Sequence, residues 1–519
     1  MDKTSPNTPG LSFTLKACIF ATGCAAIVAE YTLATLATYL LGNAIFQWTV
    51  VISLMLFSMG LGSRFSREIQ EQLLDRYVLT EFGLSLFCAL SAIFCYWVSA
   101  FTAHTSLIIY SASCLIGFFI GLEIPLITRI KDNYESLRVN ISSVMEYDYY
   151  GALAGGGLFA FLFLPFLGLT YTPILLGMIN LLVAGIIIWK FSEMLNRKAS
   201  LRTAFAISLV LITLAGLAAK PIVLFGEQHK YKDKIIYQEQ TRFQKIIITQ
   251  WKDNYWLFLN GSTQFSTYDE ERYHEPLIHP ALSLLKERGD ILVLGGGDGL
   301  AVREILKYPD VKQVTLVDLD PAMTHLARTF PALLKVNRGS MNDPRVRVIN
   351  QDAYQFITNN DKLFDAVIVD LPDPKSVSLS LLYSVGFYKM INKHLKLYGV
   401  VVTQGTSPLY SPDAFLCVKN SMEAADFSVI PYQNSIPTMG QWGWHLGVKK
   451  QVMSVEAARE KLTQINFEKL ETRFLNRDAM ISMTHFGKGL FEQGKFIEPN
   501  TEFNHKILEY YRKGHWDIY

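Results

Sequence analysis

The stretch Asp290-Ile-Leu-Val-Leu-Gly-Gly-Gly-Asp-Gly-Leu-Ala-Val-Arg-Glu304 limits what this chain can fold into more than any other. Ile291 to Leu294 form an apolar run that stops at a glycine cluster and gives way to a helical pattern. In sequence, this is how a buried parallel strand, a tight ligand-facing turn and a crossover helix look. A second apolar run, Val314 to Val317, ends in Asp318, about 20 residues past the first glycine, where a strand-end acid accepts hydrogen bonds from ribose hydroxyls. Glycines alone would also suit any doubly wound fold that needs a sharp βα turn. Asp298 narrows the choice: a carboxylate inside the turn repels a pyrophosphate and attracts a cationic nucleoside such as a sulfonium. The turn is therefore expected to take S-adenosylmethionine or its decarboxylated form.

A chain of 519 residues is too long for one core, and hydrophobic residues at 50% exceed the norm for a soluble protein. The excess lies before about residue 225. Apolar runs near the ~20 residues needed to cross a bilayer occur at Leu11 to Leu40, Ile45 to Leu61, Val78 to Phe101, Leu107 to Thr128, Tyr150 to Leu169, Thr172 to Trp189 and Thr203 to Ala219. The first, with Glu30 inside it and no cleavage signal, reads as a retained span and not a signal peptide. Lys3, Lys16, Arg64, Arg67, Arg76, Arg129, Lys131, Arg138, Lys190, Arg197, Lys198 and Arg202 flank alternate ends of these runs. The turns near Gly42-Asn43, Ala103-His104 and Gly168 to Tyr171 carry no Lys or Arg. This predicts a multi-pass protein of the cell (inner) membrane with a cytoplasmic amino terminus. An odd number of spans sets the soluble part on the opposite face, an even number on the same face, and both stay open. Gly117-x-x-x-Gly121 and Gly151-x-x-x-Gly155 are read as helix-packing positions. Glu30 and Glu123 inside spans are read either as a cation site or as structural partners of Arg129, Asn43 or helix ends.

The net charge of +2 points to no nucleic-acid partner. Five of six cysteines lie in apolar segments, with Cys417 apart, and no cysteine or His-Glu-x-x-His metal pattern is present, so no metal is expected. The expected architecture is a multi-pass α-helical membrane domain over 1–225, about seven helices, followed by three soluble parts. These are a small antiparallel β-domain over 226–270, an α/β Rossmann-like (class I methyltransferase-like) domain over 271–450, and a helical extension over 451–519. Lys220 to Lys234 reads as a connector. Strands are expected at Ile235 to Gln238, Gln244 to Trp251 and Tyr255 to Asn260, with a hairpin turn at Asn260-Gly261. In Phe364 to Pro374, Asp370 and Asp373 lie just beyond a buried strand, at the sheet edge where ligands bind; the structural alternative is a capped turn. An amine with an ordinary pKa of ~10.4 is protonated at neutral pH and cannot attack until a carboxylate takes its proton.

In order and spacing, Tyr273-His-Glu275, His279-Pro-Ala-Leu282, Val293-Leu-Gly-Gly-Gly-Asp-Gly299, Thr315-Leu-Val-Asp-Leu-Asp-Pro321, Asn350-Gln-Asp-Ala353 and Asp370-Leu-Pro-Asp-Pro374 resemble the spermidine synthase (polyamine aminopropyltransferase) family. The likeness runs from about Ile235 to Val448. The apolar half resembles the multi-spanning subgroup at Glu30-Tyr31, Gly42-Asn43, Met59-Gly-Leu-Gly-Ser63 and Gly121-Leu-Glu-Ile-Pro125. The resemblance implies transfer of the aminopropyl group of decarboxylated S-adenosylmethionine, a co-substrate and not a resident cofactor, to putrescine or a related amine, with release of methylthioadenosine. It implies that Gln244, His274, Gly295, Gly297 and Ala353 adjoin the donor. Asp298 would then meet its ammonium, Asp318 its ribose and Asp352 its adenine. Asp370 and Asp373 would be catalytic, with Tyr273, Asp373 and Gln404 around the amine.

The acceptor side departs from the family. A Gly-Pro-containing gate loop is replaced by Lys375-Ser-Val-Ser-Leu-Ser380, and Pro-Thr-Tyr-Pro by Pro437-Thr-Met-Gly440, which puts putrescine in question. The aromatic tail Gly514-His-Trp-Asp-Ile-Tyr519 is read as packing or a homodimer contact, without chemistry. An amine N-methyltransferase using intact S-adenosylmethionine, and a polyamine transporter or sensor, stand as the rival functions.

Overall fold

The computed structural model describes residues 8–41, 44–99, 101–102, 104–132 and 137–516. Lys3, Gly42-Asn43, Ala103 and the last three residues of the aromatic tail lie outside these, as does the side chain of Arg138. The chain forms two compact units, Met1–Lys232 and Asp233–Tyr519.

The first unit is helical: α1 (Thr8–Leu41), α2 (Ala44–Phe65), α3 (Leu73–Ser99), α4 (Thr105–Asp132), α5 (Leu137–Leu158), a π-helical segment (Phe159–Leu167), α6 (Gly168–Lys190) and α7 (Lys198–Lys230). Among the described residues, six continuous helical stretches are long and apolar enough to cross a membrane. One of these, Val139–Lys190, has 52 residues, about twice what a bilayer needs, and contains both of the runs expected at Tyr150 to Leu169 and Thr172 to Trp189. It is interrupted at Gly168, whose φ of +62° and ψ of −170° are open essentially to glycine alone.

The glycine spacings bring backbones together. A Cβ on Gly121 would stand 2.1 Å from the Met59 carbonyl oxygen of α2, and one on Gly151 2.2 Å from that of Phe20 in α1. Arg129 does not pair with Glu123. Its guanidinium donates to the carbonyl oxygens of Ile69 and Ser66, both at 2.7 Å, because the exposed carbonyls of the short turn after α2 lie within its reach. Glu123 has Glu81 of α3 as an electrostatic neighbour instead, a buried acid that hydropathy reading passed over.

The expected connector is also revised. α7 runs through Pro221 to Lys230, so most of Lys220 to Lys234 is helix. The reason is packing: Gly226 lies against the Tyr96 carbonyl, and buried Glu227 accepts a bond from Tyr39.

The second unit begins with a four-stranded antiparallel meander of β1 (Lys234–Gln240), β2 (Lys245–Trp251), β3 (Asn254–Leu259) and β4 (Ser262–Ser266). Three strands were expected. β4 gives little sequence signal, because Phe265 is its one apolar residue. Asn260 and Gly261 take φ values of +50° and +79°, the pairing that a tight hairpin turn demands. The meander shares its core with the larger fold: Ile246, Ile248, Leu257 and Phe265 pack with Leu300, Met323, Leu326 and Leu333.

The larger sheet holds β5 (Asp290–Gly295), β6 (Gln313–Asp318), β7 (Val346–Asn350), β8 (Phe364–Asp370), β9 (Leu395–Gln404), β10 (Phe427–Ile436) and β11 (Gly440–Lys449). Their order is β10-β11-β9-β8-β5-β6-β7. The strands from β9 to β7 are parallel, and the β10–β11 hairpin adds antiparallel on β9. β5 is buried on both faces, with Ile291 and Val293 in one core and Leu292 and Leu294 in the other. The chain leaves β5 for β6 on one side and later returns to β8 on the other. That reversal opens a crevice at the carboxyl ends of β5 and β8.

Beyond β11 lie helices at Val455–Gln464, Arg477–Met483 and Lys506–Arg512. Buried Glu275 anchors this region by accepting N–H bonds from Arg473, Phe474 and Leu475 at 2.6, 2.9 and 2.8 Å.

Candidate active site

Two glycines make the turn after β5 possible. Gly295 pairs with Asp370 across the ladder at φ +81°, and a Cβ there would stand 2.1 Å from the Asp370 carbonyl oxygen. A Cβ on Gly297 would stand 2.5 Å from Asp318 Oδ2. The turn is thus gripped between the ends of β8 and β6, and any side chain at these positions would push Asp370 or Asp318 away. After α8 (Glu271–Ser283), the helix that follows the turn is α9 (Leu300–Ile305), and Asp298 accepts from its first N–H, that of Leu300, at 2.8 Å.

Asp318 accepts from Gly297 N–H at 3.1 Å and Asp320 N–H at 2.9 Å, one bond on each carboxylate oxygen, leaving a lone pair on each. Burial pushes its pKa up to about 6. Burial also raises that of Asp298, against the pull of His274. Asp352, at the end of β7, caps the helix Ala353–Thr358 by accepting from Gln355 N–H at 2.8 Å; Ala353 is buried directly behind it. Gln244 precedes β2 and donates to Asp320 at 3.0 Å, so its amide supports the loop behind Asp318.

Asp370 ends β8. Its Oδ1 accepts from the Tyr273 hydroxyl at 2.8 Å, and a Cβ built on Gly296 would lie 3.2 Å from its Oδ2. Burial pushes its pKa up to about 6, and nearby His274 holds back a larger rise. At neutral pH it is a carboxylate, yet a stronger base than an exposed aspartate. Asp373, three residues on, is held from two sides: Tyr511 donates to Oδ2 at 2.8 Å, and Gln404 Nε2 lies 3.4 Å from Oδ1. Burial raises its pKa, while Lys375, Tyr511 and Gln404 favour the charged form.

His274 is fully enclosed in α8. Its Nδ1 bonds Glu270 at 3.0 Å, and Glu270 takes two further bonds from Arg303 at 2.6 and 2.8 Å. Burial alone would discharge His274, but Glu270 outweighs it and raises the pKa to about 9. Conversely, those bonds from His274 and Arg303 overcome burial and lower Glu270 to about 2. His274 therefore stands as a cation beside Asp298 and Asp370.

The structure gathers the expected residues Tyr273, His274, Gly295, Gly297, Asp298, Asp318 and Asp370 around one turn. Asp352 ends the strand next to β6, and Asp373 and Gln404 continue the cluster past β8. Gln244 joins it only through Asp320. Sequence reading passed over Glu270, Arg303 and Tyr511. Glu270 had a local signal, four residues before His274 on one helix face; Tyr511 had none.

The family model described as Spermine/spermidine synthase domain matches residues 270–492. A polyamine aminopropyltransferase 2 of Aquifex aeolicus is 42% identical, the match covering 97% of this chain and 99% of that protein. A polyamine aminopropyltransferase of Oceanobacillus iheyensis is 36% identical over 95% of each chain. A polyamine aminopropyltransferase 2 of Ralstonia nicotianae is 37% identical, over 95% of this chain and 96% of that one. These matches run through the helical unit as well as the α/β unit, and on them the chain belongs to the polyamine aminopropyltransferase family.

Proposed function

We propose that the protein moves the aminopropyl group of decarboxylated S-adenosylmethionine onto a diamine, with the donor lying over the β5 turn and the amine at the end of β8. The observation that carries this reading is the convergence of Asp298 and Asp370 on one turn with His274 beside both. The free lone pairs of Asp318 suit the ribose hydroxyls, Asp352 the adenine amino group and Asp298 the aminopropyl ammonium; His274 and Gln244 flank the donor. Asp370 accepts the proton of the incoming ammonium, and Asp373 holds the cation in line. The freed nitrogen attacks the carbon beside sulfur, the C–S bond breaks, and its electron pair neutralises the sulfonium, so methylthioadenosine leaves without an acid. Positioning of two bound reactants supplies about 7–11 kcal/mol of barrier reduction, and base catalysis ~10²- to 10⁴-fold in rate. Tyr273 and Gln404 line the amine side. No resident cofactor or metal enters the scheme.

The meander is read as a small domain at the mouth of this site, supported by the Lys375–Ser262 bond of 2.7 Å that joins β4 to the loop carrying Asp373. The helical unit is read as embedded in a lipid bilayer with the amino terminus cytoplasmic, on the strength of its apolar helices and one-sided basic residues.

The test is to supply the full-length protein with the decarboxylated or the intact donor and a panel of diamines, and to identify the products. Methylthioadenosine with an aminopropylated amine, from the decarboxylated donor only, is expected. S-adenosylhomocysteine with a methylated amine from the intact donor would replace this reading with an N-methyltransferase, and no product from either with binding retained would favour a transporter or sensor.

A further inference from the structure

Two tyrosines hold the two aspartates that the proposed reaction uses. Tyr273, inside the matched domain, donates to Asp370 at 2.8 Å; Tyr511, beyond the end of the match at residue 492, donates to Asp373 at the same distance. The Tyr511 side is built as firmly as the other. Its ring is 6% exposed and packs on Trp516 at 4.6 Å between ring centroids, and its carbonyl accepts from Trp516 Nε1 at 2.8 Å. The segment that carries it is pinned to the loops at the acceptor edge. His515 N–H donates to the Tyr410 carbonyl at 2.7 Å, Ser411 to the Tyr510 carbonyl at 3.2 Å, and His505 Nδ1 lies 2.9 Å from Ser380 Oγ. Lys375, two residues past Asp373, sets its ammonium 6.0 Å from the Tyr511 ring centroid.

At the other wall, the loop Pro437 to Gly440 offers no phenol. Met439 is 8% exposed and packs in the apolar core, and the loop is tied back by Thr438 donating to Asp269 at 2.8 and 2.7 Å. Beside that of Tyr273, a second hydroxyl on the acceptor side thus comes from the carboxyl-terminal helix.

We propose that Tyr511 is a positioning residue for the acceptor amine: by fixing Asp373 Oδ2 it orients the carboxylate that holds the ammonium, so the segment Lys506–Trp516 completes the amine site. This rests on the assignment of Asp373 to the amine. A bond from a phenol to a carboxylate is charge-assisted and directional. With Oδ2 held by Tyr511 and Oδ1 near Gln404, Asp373 cannot rotate freely about its side chain. Its remaining lone pairs present one fixed direction to a cation.

The test uses the full-length protein and Tyr511→Phe, which keeps the ring and removes the hydroxyl. The KM for the diamine is expected to rise roughly tenfold, the worth of one bond to a charged group, with kcat and donor KM within about twofold. The acid limb of kcat/KM for the amine is expected to move to higher pH, because the lost bond favoured the charged form of Asp373. Tyr308→Phe, which removes a hydroxyl bonded to His279 at 3.1 Å and Ser283 at 3.3 Å and to neither aspartate, is expected to leave the amine KM unchanged. An unchanged amine KM in Tyr511→Phe, or an equal rise in Tyr308→Phe, would overturn the proposal. Parental turnover tests the parent reading separately. Should the parent release no methylthioadenosine, calorimetric binding of the diamine to parent and Tyr511→Phe still decides the matter, with weaker binding in the variant expected and equal binding contradicting it.

Discussion

Asp318 and Asp298 are held by main-chain N–H groups of the turns they adjoin, at 3.1, 2.9 and 2.8 Å. Asp370 and Asp373 are held by phenols that arrive from residues 97 and 138 positions away. The edge assigned to the donor is therefore a property of one βα turn, and the edge assigned to the amine is a property of the assembled fold. A carboxylate gripped by main-chain N–H groups depends little on which side chains surround it. One oriented by distant phenols can be released by a single substitution.

If the two edges are separable in this way, substitutions should divide by which substrate they disturb. The largest effect is expected for Asp370→Asn, which removes the proton acceptor: kcat/KM falls by about 10²–10⁴, followed by methylthioadenosine release, while donor binding is kept. In the parent, activity is expected to fall as the pH drops through about 6, where the buried Asp370 carboxylate takes up a proton. That limb should be absent from the residual activity of the variant.

Next in size is Asp318→Asn. Its amide would set a donor against the Gly297 or Asp320 N–H and lose the ribose bonds, so the donor KM rises roughly 10- to 100-fold with the amine KM unmoved. A matching rise in amine KM would mean that the two edges are coupled.

Glu270→Gln is expected to weaken both edges, because His274 stands between them. It leaves the buried His274 cation without its carboxylate, while partly buried Arg303 keeps Glu304 at 2.8 Å; the cost is about 3 kcal/mol of stability in a thermal or denaturant melt. The sign follows from the two shifts. Glu270, lowered to about 2, contributes stability above its unfolded pKa near ~4.3, lost as the pH falls toward 2. His274, raised to about 9, contributes fully below its unfolded value near ~6.5, a contribution lost as the pH rises through 9. The variant should lose both dependences.

The smallest effect is expected for Gln244→Ala. Its amide reaches Asp320 and not the turn, so a two- to fivefold rise in donor KM, roughly the worth of one ordinary hydrogen bond, is the predicted reading in steady-state kinetics.

The same division explains what the sequence disclosed. The apolar strands, the glycine turn with Asp298 inside it and the strand-end acids Asp318 and Asp370 follow from period and local spacing, and those elements were legible; Asp352 was reached through the family resemblance alone. β4 was not, since Ser262-Thr-Gln lacks alternation and Phe265 is its one apolar residue. The extension of α7 past Pro221 depends on Tyr96 and Tyr39 of other helices. Arg129 turning to Ser66 and Ile69 instead of Glu123, and Tyr511 reaching Asp373, are contacts between residues 60 to 138 positions apart. No window of sequence contains both partners.

The central claim is that carboxylates at one sheet end gather two cations by separate means. Calorimetric titration of the full-length Asp370→Asn/Asp373→Asn double variant with the decarboxylated donor and then with a diamine tests it most directly. The account predicts donor affinity within about twofold of the parent and no measurable binding of the amine. Loss of donor binding together with the amine, or amine binding that survives the double substitution, would contradict it.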